Sequence, residues 1–430
     1  MIKLSKKVLK RRENELKSKA LKVILIILIS TIAFCLVCAL CWLVAFLTSS
    51  DTDLPRLDLT VDGKVTSKEE YVPCSLTLSE GDTVIIDDVS GFIRGRGNTT
   101  WKYPKKPYRL KLDSKTSFFG EAPSKSWVLL AMYNDFSLSK DALAFKLGAS
   151  LDNGDYVPSY NYVELYVNGI YKGLYLLTEQ INENKEHTNV KYDFDENDTE
   201  VPFLVELDDY AELDGGIEGE DYFKIGNLFY TVKYPDKTER YTKAQFDYIK
   251  NYVTKVHSLC YKENVTLDEL AEYIDVVSFI DYFLIQEIVI QPDINYKSVS
   301  MYKAVDGKMK MGPLWDYDWA LSGPSLAFWY DYELKETEFC SKGTWFYALL
   351  TRSPEFRQAL KARWAEIEGK IRDAAGEFQA ENQRISGAAH KDWLRYHYYN
   401  GNATFMRNFE RDFEVLYRRI DWLDNEINNL

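Results

Sequence analysis

Histidine is scarce in this chain. Of 430 residues only four are histidine, His187, His257, His390 and His397, and none belongs to an HExxH or similar set. That removes the zinc hydrolases and most histidine-dependent enzymes. Cysteine is little more abundant. Cys35, Cys38 and Cys41 lie within one apolar run, while Cys74, Cys260 and Cys340 are far apart. Three cysteines outside the run permit at most one internal disulfide, and no spacing matches a zinc site. The GxxxxGK[ST] phosphate loop is absent, as are internal repeats and low-complexity stretches. Positive charge is also short: 53 basic residues face 66 acidic ones, a net charge of −13. Nine of the basic residues fall at or before Lys22, so the chain beyond residue 50 carries −20. A region this acidic is a poor partner for nucleic acid. It suits a basic protein partner or bound cations, and much of the charge serves solubility.

Aromatic residues, in contrast, are plentiful: 31 Tyr, 22 Phe and 10 Trp, with 46% of the chain apolar. A large core can be built from them. The longest apolar run, Leu21 to Leu47, has one charge, Lys22, at its edge. About 20 such residues span a bilayer. The run is long for a cleavable signal peptide, which is the alternative reading. The basic residues before it outnumber Glu13 and Glu15, which predicts a cytoplasmic tail over residues 1–20 and a transmembrane helix over 21–47. Everything after Thr48 is then extracytoplasmic, on a single-pass cell-membrane anchor. A lipoprotein anchor fits badly, because Phe34, Val37 and Leu40 precede the three cysteines.

Residues 48–56 read as a linker and residues 57–350 as the main domain, with residues 351–430 a helical extension of it. Short alternating runs from Leu57 to Ile93 predict strands. Phe136 to Leu151 reads as a helix capped by Ser137 or Ser139, and Asn161 to Thr178 as a hairpin turning at Asn168-Gly169. Phe203 to Leu207 is a strand leading into an acidic loop. Thr266 to Val289 predicts one long apolar helix with Thr266 as its cap. Ser298 to Ala304 and Lys308 to Leu314 form a second hairpin, and amphipathic helices follow Pro354. The order is α+β, not a doubly wound parallel sheet.

Three aspartates surround the second hairpin: Asp293 before it, Asp316 and Asp318 after it. Solvated acids on a hairpin would give the same local pattern. Asp316 and Asp318 are two apart, so on an extended strand they share a face suited to a divalent cation, with Trp315, Tyr317 and Trp319 on the other. Asp293 is placed to accept or orient a hydroxyl proton. Upstream, RGRGN brings Arg96 and Asn98 into a loop whose backbone can approach a phosphate. Arg109 and Lys111 share one face of the next strand, with Tyr108, Leu110 and Leu112 on the other; they can neutralise phosphate oxygens. Glu164 or Glu179 can pair with Lys111.

These residues stand in four blocks: RGRGNTTWKYPKKPYRLKL, VELYVNGIYKGLYLLTEQI, QPDINYKSVSMYK and GPLWDYDWAL. Together, from Arg94 to Leu321, they resemble the CotH kinase family, named for a spore-coat protein. The resemblance implies an atypical, two-lobed protein-kinase-like fold that binds ATP and Mg²⁺ and phosphorylates serines of secreted or coat proteins; with the acidic charge, the expected substrate is a basic, Ser-rich protein. It implies Asp293 as the catalytic aspartate and Asp316 as a metal ligand, with Asp318 a second. Lys111 or Arg109 would meet the nucleotide phosphates. A non-catalytic surface scaffold or adhesin of the same fold is the alternative. No HRD triplet precedes Asp293, and Ser298 stands where kinases place a metal-binding Asn; Asn295 is at the wrong offset.

Overall fold

A computed structural model describes Lys17, Lys19, residues 21–41 and residues 53–430, apart from 182–187, 189, 191–194, 196, 214, 236–241, 322–335 and 397–404. The chain divides into two units, Met1–Thr52 and Asp53–Leu430. In the first, helix α1 (Leu21–Cys41) is long and apolar enough to cross a membrane. The expected span continues to Leu47, but residues 42–47 lie outside the described residues.

The second unit is α+β. Its first half is a closed barrel of β1 (Arg56–Val61), β2 (Val72–Glu80), β3 (Thr83–Gly95), β4 (Tyr108–Thr116), β5 (Ser124–Leu130), β6 (Tyr160–Val167) and β7 (Ile170–Glu179), in the order β1-β2-β3-β4-β5-β7-β6. β1 closes the ring by pairing parallel to β6, and the other pairings are antiparallel. Closure leaves no open edge. Alternating apolar residues, among them Leu57, Leu76, Ile93, Leu110, Trp127 and Leu165, fill the interior. The β6–β7 turn is Asn168-Gly169, with φ of 50° and 75°, as a two-residue hairpin requires.

The second sheet runs β12-β11-β8-β10-β9 and is antiparallel throughout. Its strands are β8 (Phe203–Asp208), β9 (Tyr222–Ile225), β10 (Leu228–Tyr234), β11 (Lys297–Lys303) and β12 (Met309–Met311). It shares one core with the helices α2 (Lys140–Ala149), α3 (Lys243–Cys260), α4 (Leu267–Ala271), α5 (Val276–Ile288), α6 (Trp345–Arg352), α7 (Pro354–Asn382), α8 (Ser386–Tyr396) and α9 (Phe405–Asn429). Helix α5 is buried from Ser278 to Ile288 and is the central helix. The three cysteines of this unit, Cys74, Cys260 and Cys340, are buried free thiols.

Three expectations need correction. The helix expected over Thr266–Val289 is two helices. Thr266 caps the first through a capping box with Glu269. The chain then leaves the helix so that Tyr273 and Asp275 can bond to the backbone of Met309 in β12. The Asp275 side chain caps α5 by accepting from Ser278 N–H at 3.1 Å. Ser139 is the N-cap residue of α2, but its side chain makes no capping bond. The Asp135 carboxylate accepts from the N–H groups of Ser137, Ser139 and Lys140 at 2.7–2.9 Å, and an ionised acceptor makes the stronger bonds. The return strand expected over Lys308–Leu314 is only Met309–Met311, because Gly312 turns at φ 115° and Pro313 has no N–H for a ladder.

Candidate functional site

The β3–β4 loop, the end of β5, the start of α2, the end of β8 and residues 293–319 enclose a cleft of about 540 Å³. Asp141, Asp293, Asp316 and Asp318 line it, with Arg96 and Lys297 among the cations. Tyr103, Tyr133, Trp315 and Trp319 give it aromatic walls.

Local backbone geometry delivers the acids. Helix α5 stops at Ile290, whose φ is 52°. Gln291 N–H donates to the Gln286 carbonyl at 3.0 Å and Ile290 N–H to that of Glu287 at 3.3 Å. This Schellman stop normally uses glycine. A buried β-branched residue there holds about 1–3 kcal/mol of strain. Pro292 then opens the 3₁₀ turn Pro292–Asn295, which carries Asp293 into the cleft, where Lys297 Nζ stands 3.5 Å from its Oδ1. Ser298 (φ 58°) and Asp316 (φ 66°) are also left-handed. Met132 (φ 50°) is a further left-handed non-glycine residue on the cleft wall.

Asp316 is fixed from two sides. Ser298 Oγ donates to its Oδ2 at 3.0 Å, and Gln291 Nε2 to its carbonyl at 2.8 Å. Tyr317 is buried, its hydroxyl accepting from Gln286 Nε2 at 2.6 Å and its N–H donating to Asp141 Oδ1 at 2.8 Å. Asp318 is nearly enclosed.

The acids perturb one another. Burial, then Asp316, Asp141 and Asp293, push the Asp318 carboxyl well above its ordinary value, opposed by Lys140. Burial pushes Asp141 up to about 7; Asp316 and Asp135 add to this, while the Tyr317 N–H and Arg96 oppose it. Burial works against the Lys297 ammonium, yet Asp293, Asp316 and Asp209 hold its pKa above the usual lysine value. Burial lowers that of Arg96, against the pull of Asp316 and Asp141. Crowded, desolvated carboxyls of this kind are relieved by a cation. Among the described residues no three His, Cys, Asp or Glu side chains form a ready-made metal cage. That donor set fits Mg²⁺, which takes one or two protein carboxylates and completes its shell with water and phosphate.

Of the residues singled out in the sequence, Arg96, Asn98, Asp293, Asp316 and Asp318 come together in this cleft. Asp316 and Asp318 do so through the left-handed turn at Asp316, not through an extended strand sharing one face. Of the aromatics expected behind them, Tyr317 is buried there, whereas Trp315 and Trp319 line the cleft itself. Arg109 and Lys111 are not brought in. Leu110 and Leu112 point into the barrel, so their neighbours point out. Arg109 opens into an adjoining recess, and Lys111 is exposed between Phe92 and Ser126 of the flanking strands. Among the described residues Lys111 makes no ion pair. Glu164 stands 3.7 Å from Lys391, and Glu179 is buried opposite Trp127. Lys105, which lines the cleft, is buried in an ion pair with Asp392 of α8 at 2.6 Å.

Sequence reasoning missed Asp141, Lys297, Glu206 and Lys233. Lys297, four residues after Asp293, was the one with a spacing signal. Glu206 and Asp208 hold Lys233 at 2.9 and 3.0 Å on the cleft wall. Ser298 belongs to the site, bonded to Asp316, whereas Asn295 donates to the Cys340 carbonyl at 3.2 Å.

A comparison with curated proteins found no match. The family model described as CotH kinase protein matches residues 93–423, from β3 through most of α9, and so contains every residue of the cleft. With over half its length covered by that one match, this chain belongs to the CotH kinase family.

Proposed function

We propose that the chain is a protein kinase that transfers the γ-phosphoryl group of ATP to a serine or threonine hydroxyl. In this reading the barrel is one lobe of a kinase-like fold, and the second sheet with its helices is the other. The observation that carries the proposal is the gathering of Asp293, Asp316 and Asp318 with Arg96 and Lys297 in one aromatic-walled cleft. Asp293 orients the acceptor hydroxyl and takes its proton, with Lys297 holding the aspartate in place. Asp316 and Asp318 are the residues that would hold Mg²⁺, which when bound supplies neutralising charge at the phosphate oxygens. Arg96 and Asn98 face the phosphates, and the aromatic walls suit the base. The Ser298 hydroxyl sets the orientation of Asp316. Helix α1 anchors the chain in a membrane, with residues beyond 48 on the extracytoplasmic side and a basic, Ser-rich protein as acceptor.

The test is ATP-dependent labelling. Asp316→Asn should reduce phosphoryl transfer by about 10²–10⁴-fold while leaving the circular dichroism spectrum and melting temperature unchanged. Full labelling by that variant contradicts the assignment.

A further inference from the structure

Beside the cleft, and sharing Arg96, Gly97 and Asn98 with it, lies a second recess of about 370 Å³. Its other walls are Lys68, Glu69, Arg94, Arg109 and Gln180. Among the described residues four cations face one acid there, in a chain of net charge −13. More telling is the register. Arg94 of β3 stands directly opposite Arg109 of β4 in the antiparallel ladder. Like charges in that position destabilise a sheet. Burial is the main cause of the lowered pKa of Arg96, and Arg109 and then Arg94 add to it, so both lie close enough to repel that guanidinium. The Arg94 side chain meets backbone carbonyls, those of Lys68 and Gly95, and the Tyr71 ring; Lys68 Nζ donates to Asn98 Oδ1 at 2.7 Å. Among the described residues neither Lys68, Arg94 nor Arg96 forms an ion pair. Lys68, Arg94, Arg96 and Arg109 thus gather positive charge around one recess, where an anion would be held.

The kind of anion follows from the walls. Among the described residues no aromatic or aliphatic side chain lines this recess, whereas the main cleft has both. A nucleotide base has nothing here to pack on. A phosphoryl group does find partners, since guanidinium forks match its oxygens. Building on the kinase reading, we propose that this recess is a phosphoserine site. It holds an already phosphorylated serine of the protein substrate while the next hydroxyl enters the cleft past Arg96. Phosphorylation of a serine-rich segment would then favour its own continuation.

The experiment uses the full chain in detergent and a fluorescent serine-containing peptide, with and without one phosphoserine, with anisotropy read in the absence and presence of saturating ATP. The phosphorylated peptide should bind roughly tenfold tighter or more, and Lys68→Gln and Arg94→Gln should each remove most of that advantage. The preference should persist with ATP bound. Equal affinity for the two peptides, an undiminished preference in both variants, or displacement of the phosphopeptide by ATP would overturn the proposal. Because binding is read without turnover, a chain that fails to label substrates but still shows the preference would sink the kinase reading and leave this site standing.

Discussion

Asp141 lies in the first turn of α2, where an acid ordinarily answers the helix dipole. Here it is buried against Tyr317 N–H and shares the cleft with five other aspartates, Asp293, Asp316 and Asp318 among them. Its unfolded carboxyl ionises near 3.9; burial moves the folded one up to about 7. Between those values the native state keeps a proton that the unfolded chain has lost. Its contribution to stability is therefore full below about pH 4 and falls as pH rises to 7. The slope is at most about 1.4 kcal/mol per pH unit. Asp141→Asn keeps an acceptor for Tyr317 and removes the titration. In urea melts its stability relative to the parent should rise steadily from pH 4 to 7, and a constant difference would contradict the assigned burial. Nothing in the sequence marks Asp141 for this role, since a first-turn acid looks the same whether solvated or enclosed. Asp293, Asp316 and Asp318 were legible because Pro292 and the aromatics beside them restrict where an acid can go. Lys111 was misjudged because alternation shows which residues share a face, not which face meets the cleft.

Helix α9 shows how an outer element is tied to the site. Arg419 is fully buried and donates to the Glu287 carboxylate of α5 at 2.7 Å. It also donates to the carbonyls of Glu287, Glu336 and Glu338 at 2.7–2.8 Å. Glu287 in turn accepts from the N–H groups of Cys340 and Ser341 at 2.9 and 3.0 Å. Removing one partner of such a pair leaves a buried charge behind. Arg419→Ala should cost about 3–5 kcal/mol in chemical denaturation; a loss under 1 kcal/mol would show that the pair is not enclosed as described. The amphipathic stripe of α9 was readable, but its partner was not, because Glu287 lies 132 residues away. Helix α3 differs, since its Thr242–Gln245 capping box is a local signal that went unread. The break between α4 and α5 depends on pairing with β12, which no local pattern records.

At the scale of the whole molecule, charge and hydropathy divide sharply. A basic, apolar N-terminus precedes an acidic unit with its own core. If α1 is an anchor, the full chain should sediment with membranes and resist alkaline extraction, whereas a chain beginning at Asp53 should remain in the supernatant. Release of the full chain by alkali would contradict anchoring. The α+β class followed from element order, but closure of the barrel did not. It rests on the parallel pairing of β1 with β6, two strands separated by about a hundred residues of sequence.

The central claim is that these acids form one phosphoryl-transfer site. Its most direct test is incubation of the full chain in detergent with γ-labelled ATP, Mg²⁺ and a basic serine-rich peptide, beside Asp293→Ala. Labelling of the peptide by the parent chain, reduced by about 10²-fold or more in a variant that melts at the same temperature, is the predicted result. Equal labelling by both chains, or none by either while ATP and Mg²⁺ bind, would contradict it.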